Sequence, residues 1–169
     1  MGHPHIHSRA KCEYQGVFQL KGIIQMIVKR QSSYDTNLAS EFFVMSVLHR
    51  LGIEAHLTLG NKKAVDIVVV RAPGETVTID VKAVAGKTDW LVGNAPIEPR
   101  EGHFVVLMIY DGKFTDLAAS PRAWVLPHVE FLSLVQTVKP PSTMRYIYRP
   151  DVLKQTERAE AWLLLIARH

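Results

Sequence analysis

The sequence holds a single cysteine, Cys12, so no disulfide can form within the chain, and a reducing, cytoplasmic setting is expected. It contains no apolar window of about 18 residues, so no membrane span is expected. The apolar stretch Val17–Val28 carries Gln19, Lys21 and Gln25 and comes late, unlike a secretory leader. No G-x-G-x-x-G or Walker pattern stands at a strand-to-helix turn, which argues against a doubly wound nucleotide fold. Repeats and low-complexity segments are also missing. Neither sign of charge dominates: 20 lysines and arginines against 16 acids leave +4. That mild basicity suits a polyanionic partner without requiring one. What the chain does have is 169 residues, 47% of them apolar, enough for one domain with a sizeable core.

Residues 1–34 read as an N-terminal appendage, with His3, His5 and His7 alternating at its start and a weak strand signal over 17–29. Residues 35–169 read as a single domain. Asp35, Thr36 or Asn37 caps a helix that runs to about Leu51, where Gly52 stops it. Leu38, Met45 and Leu48 form its apolar stripe, with Phe42 beside them, and Glu41 falls inside that stripe. Ile53–Leu59 is a short strand. Val65–Val70 and Thr76–Ala83 then form a hairpin around Pro73-Gly74, and the first arm is apolar on both faces, as in a strand covered on both sides.

After a loop over 84–100, His103–Tyr110 is a buried strand. Asp111-Gly112 turns it towards a partner over Lys113–Ala119. A helix over His128–Val138, an edge strand over Met144–Arg149 and a final helix from Pro150-Asp151 to about Ala167 complete the pattern. Leu153, Trp162, Leu163 and Ile166 supply the packing of that last helix. A helix leading into a hairpin-rich mixed sheet predicts an α/β domain with a three-layer α/β/α arrangement around a central mixed β-sheet.

Charges inside the hairpin are the feature to explain. Side chains alternate along a strand, so Asp80 and Lys82 share one face, beside a strand that carries Asp66. Glu41 comes from the inward face of the helix. Three converging carboxylates repel one another, and taking each from water costs several kcal/mol. Protonation relieves this, and so does a divalent cation. An all-oxygen set with room for water suits Mg²⁺ or Mn²⁺. Such a cation polarises a phosphoryl oxygen and acidifies water, and Lys82 would orient or deprotonate that water.

Asp66, thirteen intervening residues and Asp80-Val81-Lys82, with Glu41 on the preceding helix, resemble the motif of the PD-(D/E)xK, restriction-endonuclease-like nuclease superfamily. The stretches from Leu38 to Ile53 and from Gly60 to Val69 are similar to small members related to Holliday-junction resolvases. The resemblance covers about Asn37 to Leu134. It implies Asp66 and Asp80 as metal ligands helped by the Val81 carbonyl, Glu41 as a ligand directly or through water, and Lys82 as the residue that positions the attacking water. It implies a metal-dependent nuclease acting on nucleic acid, DNA ahead of RNA, without a membrane partner and with a homodimer open. Two departures stand out: Val65 replaces the proline that names the motif, and Asp80 replaces the commoner Glu.

Rival readings remain. Lys82 can pair with Asp80 or Asp66 as a plain cross-strand ion pair. Glu41 can reach out from the stripe edge. Trp90 either stacks on a nucleotide or plugs the end of the sheet. Lys62, Lys63, Lys87, Arg100 and Arg122 are phosphate-contact candidates for which solvated surface is the default. His49 and His56 read as surface residues, and His103 is given no role. The whole-protein alternative is a nuclease fold without turnover that binds nucleic acid or a protein partner.

Overall fold

The computed structural model describes residues 32–58, 65–93, 98–138 and 144–167. From Ser33 onward these belong to one unit, Ser33–His169. The expectations placed on residues 1–31, including the histidine run and the strand over 17–29, lie outside the described residues.

Helix α1, Ser33–Arg50, opens the unit. Its buried residues are Thr36, Ser40, Glu41, Val44 and Leu48. The inward stripe is therefore rotated from the one expected: Phe42 is exposed, and two small hydroxyl residues take inward places. Ser40 makes this tolerable, because its hydroxyl donates to the Thr36 carbonyl at 2.7 Å and also meets the Tyr110 hydroxyl at 3.1 Å. Gly52, at φ +72°, ends the helix as anticipated.

Five strands form a mixed sheet: β1 (Ala55–Leu57), β2 (Ile67–Ala72), β3 (Glu75–Val84), β5 (His103–Ile109) and β6 (Arg122–Pro127), side by side in that order. The β2–β3 hairpin is present, and Gly74 at φ +80° supplies the left-handed residue that a Pro-Gly turn of this kind needs. β3 and β5 run parallel, and every other pairing in this sheet is antiparallel. A second sheet contains β4 (Trp90–Leu91), β8 (Arg145–Ile147) and β7 (Val135–Thr137), in that order.

Two cores sandwich the five-stranded sheet. Val44 and Leu48 of α1 pack on Ile67, Ile79, Val81, Val106 and Met108. On the opposite side Val105, Leu107 and Ile109 pack with Trp90, Phe131, Ile147 and Val152. That side is covered by the small second sheet and by the short helices α2 (His128–Leu134) and α3 (Arg149–Leu153). The class is α/β, as expected, but one flanking layer is part sheet.

Four further differences have local causes. The strand buried on both sides is β5, in which all seven residues are buried, whereas β2 alternates between buried and half-buried. The partner of β5 is β6, because residues 113–119 coil into successive turns: Lys113 N–H donates to Tyr110 O, Asp116 N–H to Lys113 O and Ala119 N–H to Asp116 O. The helix from His128 stops at Leu134, and Val135–Thr137 pairs with β8. The C-terminal segment is α3 followed by two single 3₁₀ turns, Thr156–Arg158 and Trp162–Leu165. Glu160 interrupts it at φ 51°, where its N–H donates to Ala123 O and its Oε1 accepts from Ala123 N–H. Trp162 and Leu165 are buried in the α1-side core, whereas Leu163 and Ile166 are exposed. No helix among the described residues is long and apolar enough to cross a membrane.

Candidate active site

β3 outruns β2. Its register with β2 ends at Ile67↔Ile79, while its pairing with β5 continues from Thr78↔His103 to Val84↔Ile109. Thr78 N–H donates to Gly102 O on the β5 side, so Val77, Ile79 and Val81 aim their N–H groups towards β2. At Val81 the ladder has already ended, since β2 pairs with β3 only as far as Ile67↔Ile79. The Asp66 carboxylate fills the gap: Val81 N–H donates to Asp66 Oδ2 at 2.7 Å. The fork between two strands thus brings Asp66 against the middle of Asp80-Val81-Lys82.

Asp80 and Lys82 lie on the face of β3 opposite α1, since their β5 partners are Val105 and Leu107 of the far-side core. Lys82 also lines a cleft of about 250 Å³, together with Ser33 and Asn37 of α1, Thr88 and Trp90. Trp90 is buried, and its indole N–H donates to Met108 O at 3.1 Å, so of its two readings the plug is the one realised. Glu41 is buried at 6% exposure, one turn along α1 from Asn37. The inward placement of this carboxylate is as expected, but α1 packs on the face of β3 opposite Asp80 and Lys82, so the three acids are not brought together as one cluster.

Two cations and an imidazole surround Asp80. Its Oδ2 is 3.4 Å from Arg100 Nη2 and 3.5 Å from His103 Nε2, with Lys82 nearby on the same face. Burial pushes the Asp80 carboxyl up. The hydrogen bond from His103 and the charges of His103, Lys82 and Arg100 outweigh burial and hold it below its usual 3.8. Asp80 is therefore an ionised acceptor at neutral pH.

The sequence assigns His103 no role, and the structure places it inside the site. It is 3% exposed, with Nδ1 2.8 Å from Thr78 Oγ1, and Arg100 Nη2 touches its Nε2. Nε2 therefore faces two groups, accepting from the donor-only Arg100 guanidinium in one ring state and donating to Asp80 Oδ2 in the other, while Nδ1 stays on the Thr78 hydroxyl, which can accept or donate. A histidine opening an otherwise apolar strand was the available signal; its meaning depends on the non-local β3–β5 register.

His128 stands edge-on to His103, ring centres 4.9 Å apart, and its Nδ1 accepts the Arg100 backbone N–H at 3.1 Å. Burial lowers its pKa from 6.5, the charges of His103 and Arg100 lower it further, and Asp80 opposes them. The unfolded chain therefore takes up a proton at pH values where folded His128 does not, so stability falls as pH drops through 6.5 towards the lower folded value. Urea unfolding midpoints measured well above and well below that pH are expected to drop on acidification, and to drop less in His128→Gln. An equal drop in the variant would refute this assignment.

Arg122, another phosphate-contact candidate, is instead committed to Asp111 at 2.6 Å. His56 is an exposed strand residue 3.2 Å from Glu54, and His49 lies exposed in the last turn of α1, both as read from the sequence. Among the described residues, no group of three or more His, Cys, Asp or Glu side chains is placed to hold a metal ion.

The solved structure of a bacterial homing endonuclease matches this chain with a TM-score of 0.51 and 19% sequence identity, covering 81% of this chain and 93% of that one. The chain shares that enzyme's fold. No protein-family model and no curated protein matches it.

Proposed function

We propose that this protein is a metal-dependent nuclease that hydrolyses phosphodiester bonds of nucleic acid, as an endodeoxyribonuclease. The observation that carries the reading is the strand fork, which sets Asp66 against Asp80-Val81-Lys82 beside an open cleft. The fold shared with a homing endonuclease supports it. Asp66 and Asp80 offer hard oxygen donors, and the Val81 carbonyl points to the same side of the strand as its N–H. Two carboxylates and a carbonyl suit Mg²⁺ or Mn²⁺, which bind through one or two carboxylates and keep several waters. Glu41 comes from α1, on the other face of β3 from Asp80 and Lys82, so the carboxylates that would hold the ion are Asp66 and Asp80. Bound there, the ion would supply Lewis-acid polarisation of the phosphoryl oxygen and acidify the attacking water.

The chain's own residues do the rest. Asp80 is kept ionised by His103, Lys82 and Arg100, so it presents full negative charge at neutral pH. Lys82 reaches the cleft with an ammonium that hydrogen-bonds and orients a water or meets charge developing on phosphate. Trp90 walls that cleft and excludes solvent behind it.

The rival, a nuclease fold that binds without cutting, has one observation in its favour. Asp66 and Asp80 each have a structural partner, and no group of three metal-ligating residues forms among the described ones. Supercoiled plasmid incubated with purified protein decides between them. Nicking that needs Mg²⁺ or Mn²⁺ and stops with EDTA is expected. Absence of nicking with either ion, alongside undiminished DNA binding, would give the answer to the rival.

A further inference from the structure

We infer that Arg100 binds a non-bridging oxygen of the nucleic-acid phosphate next to the acids, and that His103 is the positioning residue that holds its guanidinium there. This rests on the nuclease reading above and names a contact to the substrate that the acids and Lys82 do not make.

Arg100 is not an ordinary surface arginine. Its backbone N–H is tied to His128, its Nη2 is held between His103 and Asp80, and its Nε is buried with no hydrogen-bond partner among the described residues. Arginine carries five donors and no acceptor, so this guanidinium has donor capacity that the surrounding protein leaves unused. Its side chain is 37% exposed and borders an open pocket of about 580 Å³ that it shares with Arg71, His103, Phe104 and His128. The exposed part of this guanidinium, bordering the pocket, is where an acceptor from outside can bond, and the unmatched donor behind it leaves the group's charge only partly satisfied by protein. A phosphodiester fits, because its paired oxygens match the planar fork of a guanidinium.

The contact with Asp80 is replaceable. At 3.4 Å it lies at the long end of a hydrogen bond, and a cation at Asp80 would take up the carboxylate's charge. The contact with His103 is fixed. His103 is 3% exposed, opposite Thr78 in the β3–β5 register, bonded to the Thr78 hydroxyl and braced edge-on by His128. The imidazole cannot follow a wandering arginine, so it sets where the guanidinium stands.

The test uses wild type, Arg100→Ala and Arg100→Lys, with a labelled DNA duplex and supercoiled plasmid as probes. Without divalent ions, the dependence of log affinity on log salt should weaken by about 0.9 in Arg100→Ala, the loss of one phosphate contact, and Arg100→Lys should retain most of it. Single-turnover cleavage with Mg²⁺ should slow about a hundredfold in Arg100→Ala. His103→Ala should slow it about tenfold, and His103→Gln, which keeps an acceptor for the guanidinium, should recover much of that loss. Thermal melts confirm that each variant is folded, and Arg100→Gln, which keeps a polar side chain of similar length without the charge and should lose the same slope, stands in if Arg100→Ala is not.

An unchanged salt slope overturns the proposal, even with slower cleavage, because Arg100 would then be only a counter-charge to Asp80. A His103→Gln variant as slow as His103→Ala overturns the positioning role. Wild type that neither binds nor cuts DNA would instead defeat the nuclease reading itself, and that result is distinct from active wild type with an indifferent Arg100.

Discussion

Asp80→Asn is expected to cut DNA about a thousandfold more slowly than wild type while remaining folded and binding DNA at least as tightly. Lewis-acid stabilisation of a phosphoryl transition state is worth several kcal/mol, and about 4 kcal/mol corresponds to roughly three decades in rate. Asparagine keeps the shape and one oxygen but gives up the charge that a divalent cation needs. Tighter binding follows from the surroundings. Arg100, His103 and Lys82 converge on this carboxylate, and removing its charge leaves more positive potential facing a phosphate backbone. Single-turnover cleavage across a Mg²⁺ titration, with binding measured in EDTA, separates the two effects. Cleavage at the wild-type rate would show that Asp80 serves only as the hub of an ion-pair cluster.

The second large effect is at Asp66, where two substitutions part company. Asp66→Asn retains a carbonyl oxygen for the Val81 N–H, so it should be nearly as stable as wild type yet lose about the same three decades of cleavage. Asp66→Ala loses the charge and also the acceptor. It leaves an N–H at the strand fork without its 2.7 Å partner, at a cost of about 1–3 kcal/mol in folding stability. Urea unfolding curves measure that cost, and plasmid nicking measures the other. If Asp66 acts only as a cap for the frayed ladder, Asp66→Asn will cut as fast as wild type, and the metal assignment fails with it.

The Asp66 contact shows why this site was partly legible in sequence. Alternation along one strand is a local rule, so placing Asp80 and Lys82 on a common face needed nothing beyond residues 76–83. The Pro73-Gly74 turn then brought Asp66 back beside them, because a hairpin fixes its own register. The inward aim of Glu41 follows from spacing too, although the stripe around it is rotated from the one the apolar residues predict. Thr36 and Ser40 are buried there, and hydroxyls that bond to the helix backbone or to Tyr110 carry no hydrophobic signal.

Arg100, His103 and His128 were beyond the reach of spacing. They meet because β3 and β5 run parallel after an excursion of about twenty residues, and because β6 returns His128 to the same end of the sheet. No local period encodes that. The C-terminal turns failed for a similar reason: the hydrogen bonds of Glu160 to Ala123 outweigh helical propensity in a segment whose pattern reads as helix.

The burial of β5 from His103 to Ile109 has a consequence for genetics. In a saturation scan scored by loss of nuclease phenotype, this strand will be as intolerant as the acids, although six of its seven positions serve packing alone. Scored by abundance in the cell, those six should remain intolerant, since a change in a core strand lowers the folded fraction. Asp66→Asn and Asp80→Asn should appear silent in the abundance screen. His103 alone within the strand should divide between the two screens, its conservative variants tolerated for abundance and penalised for function.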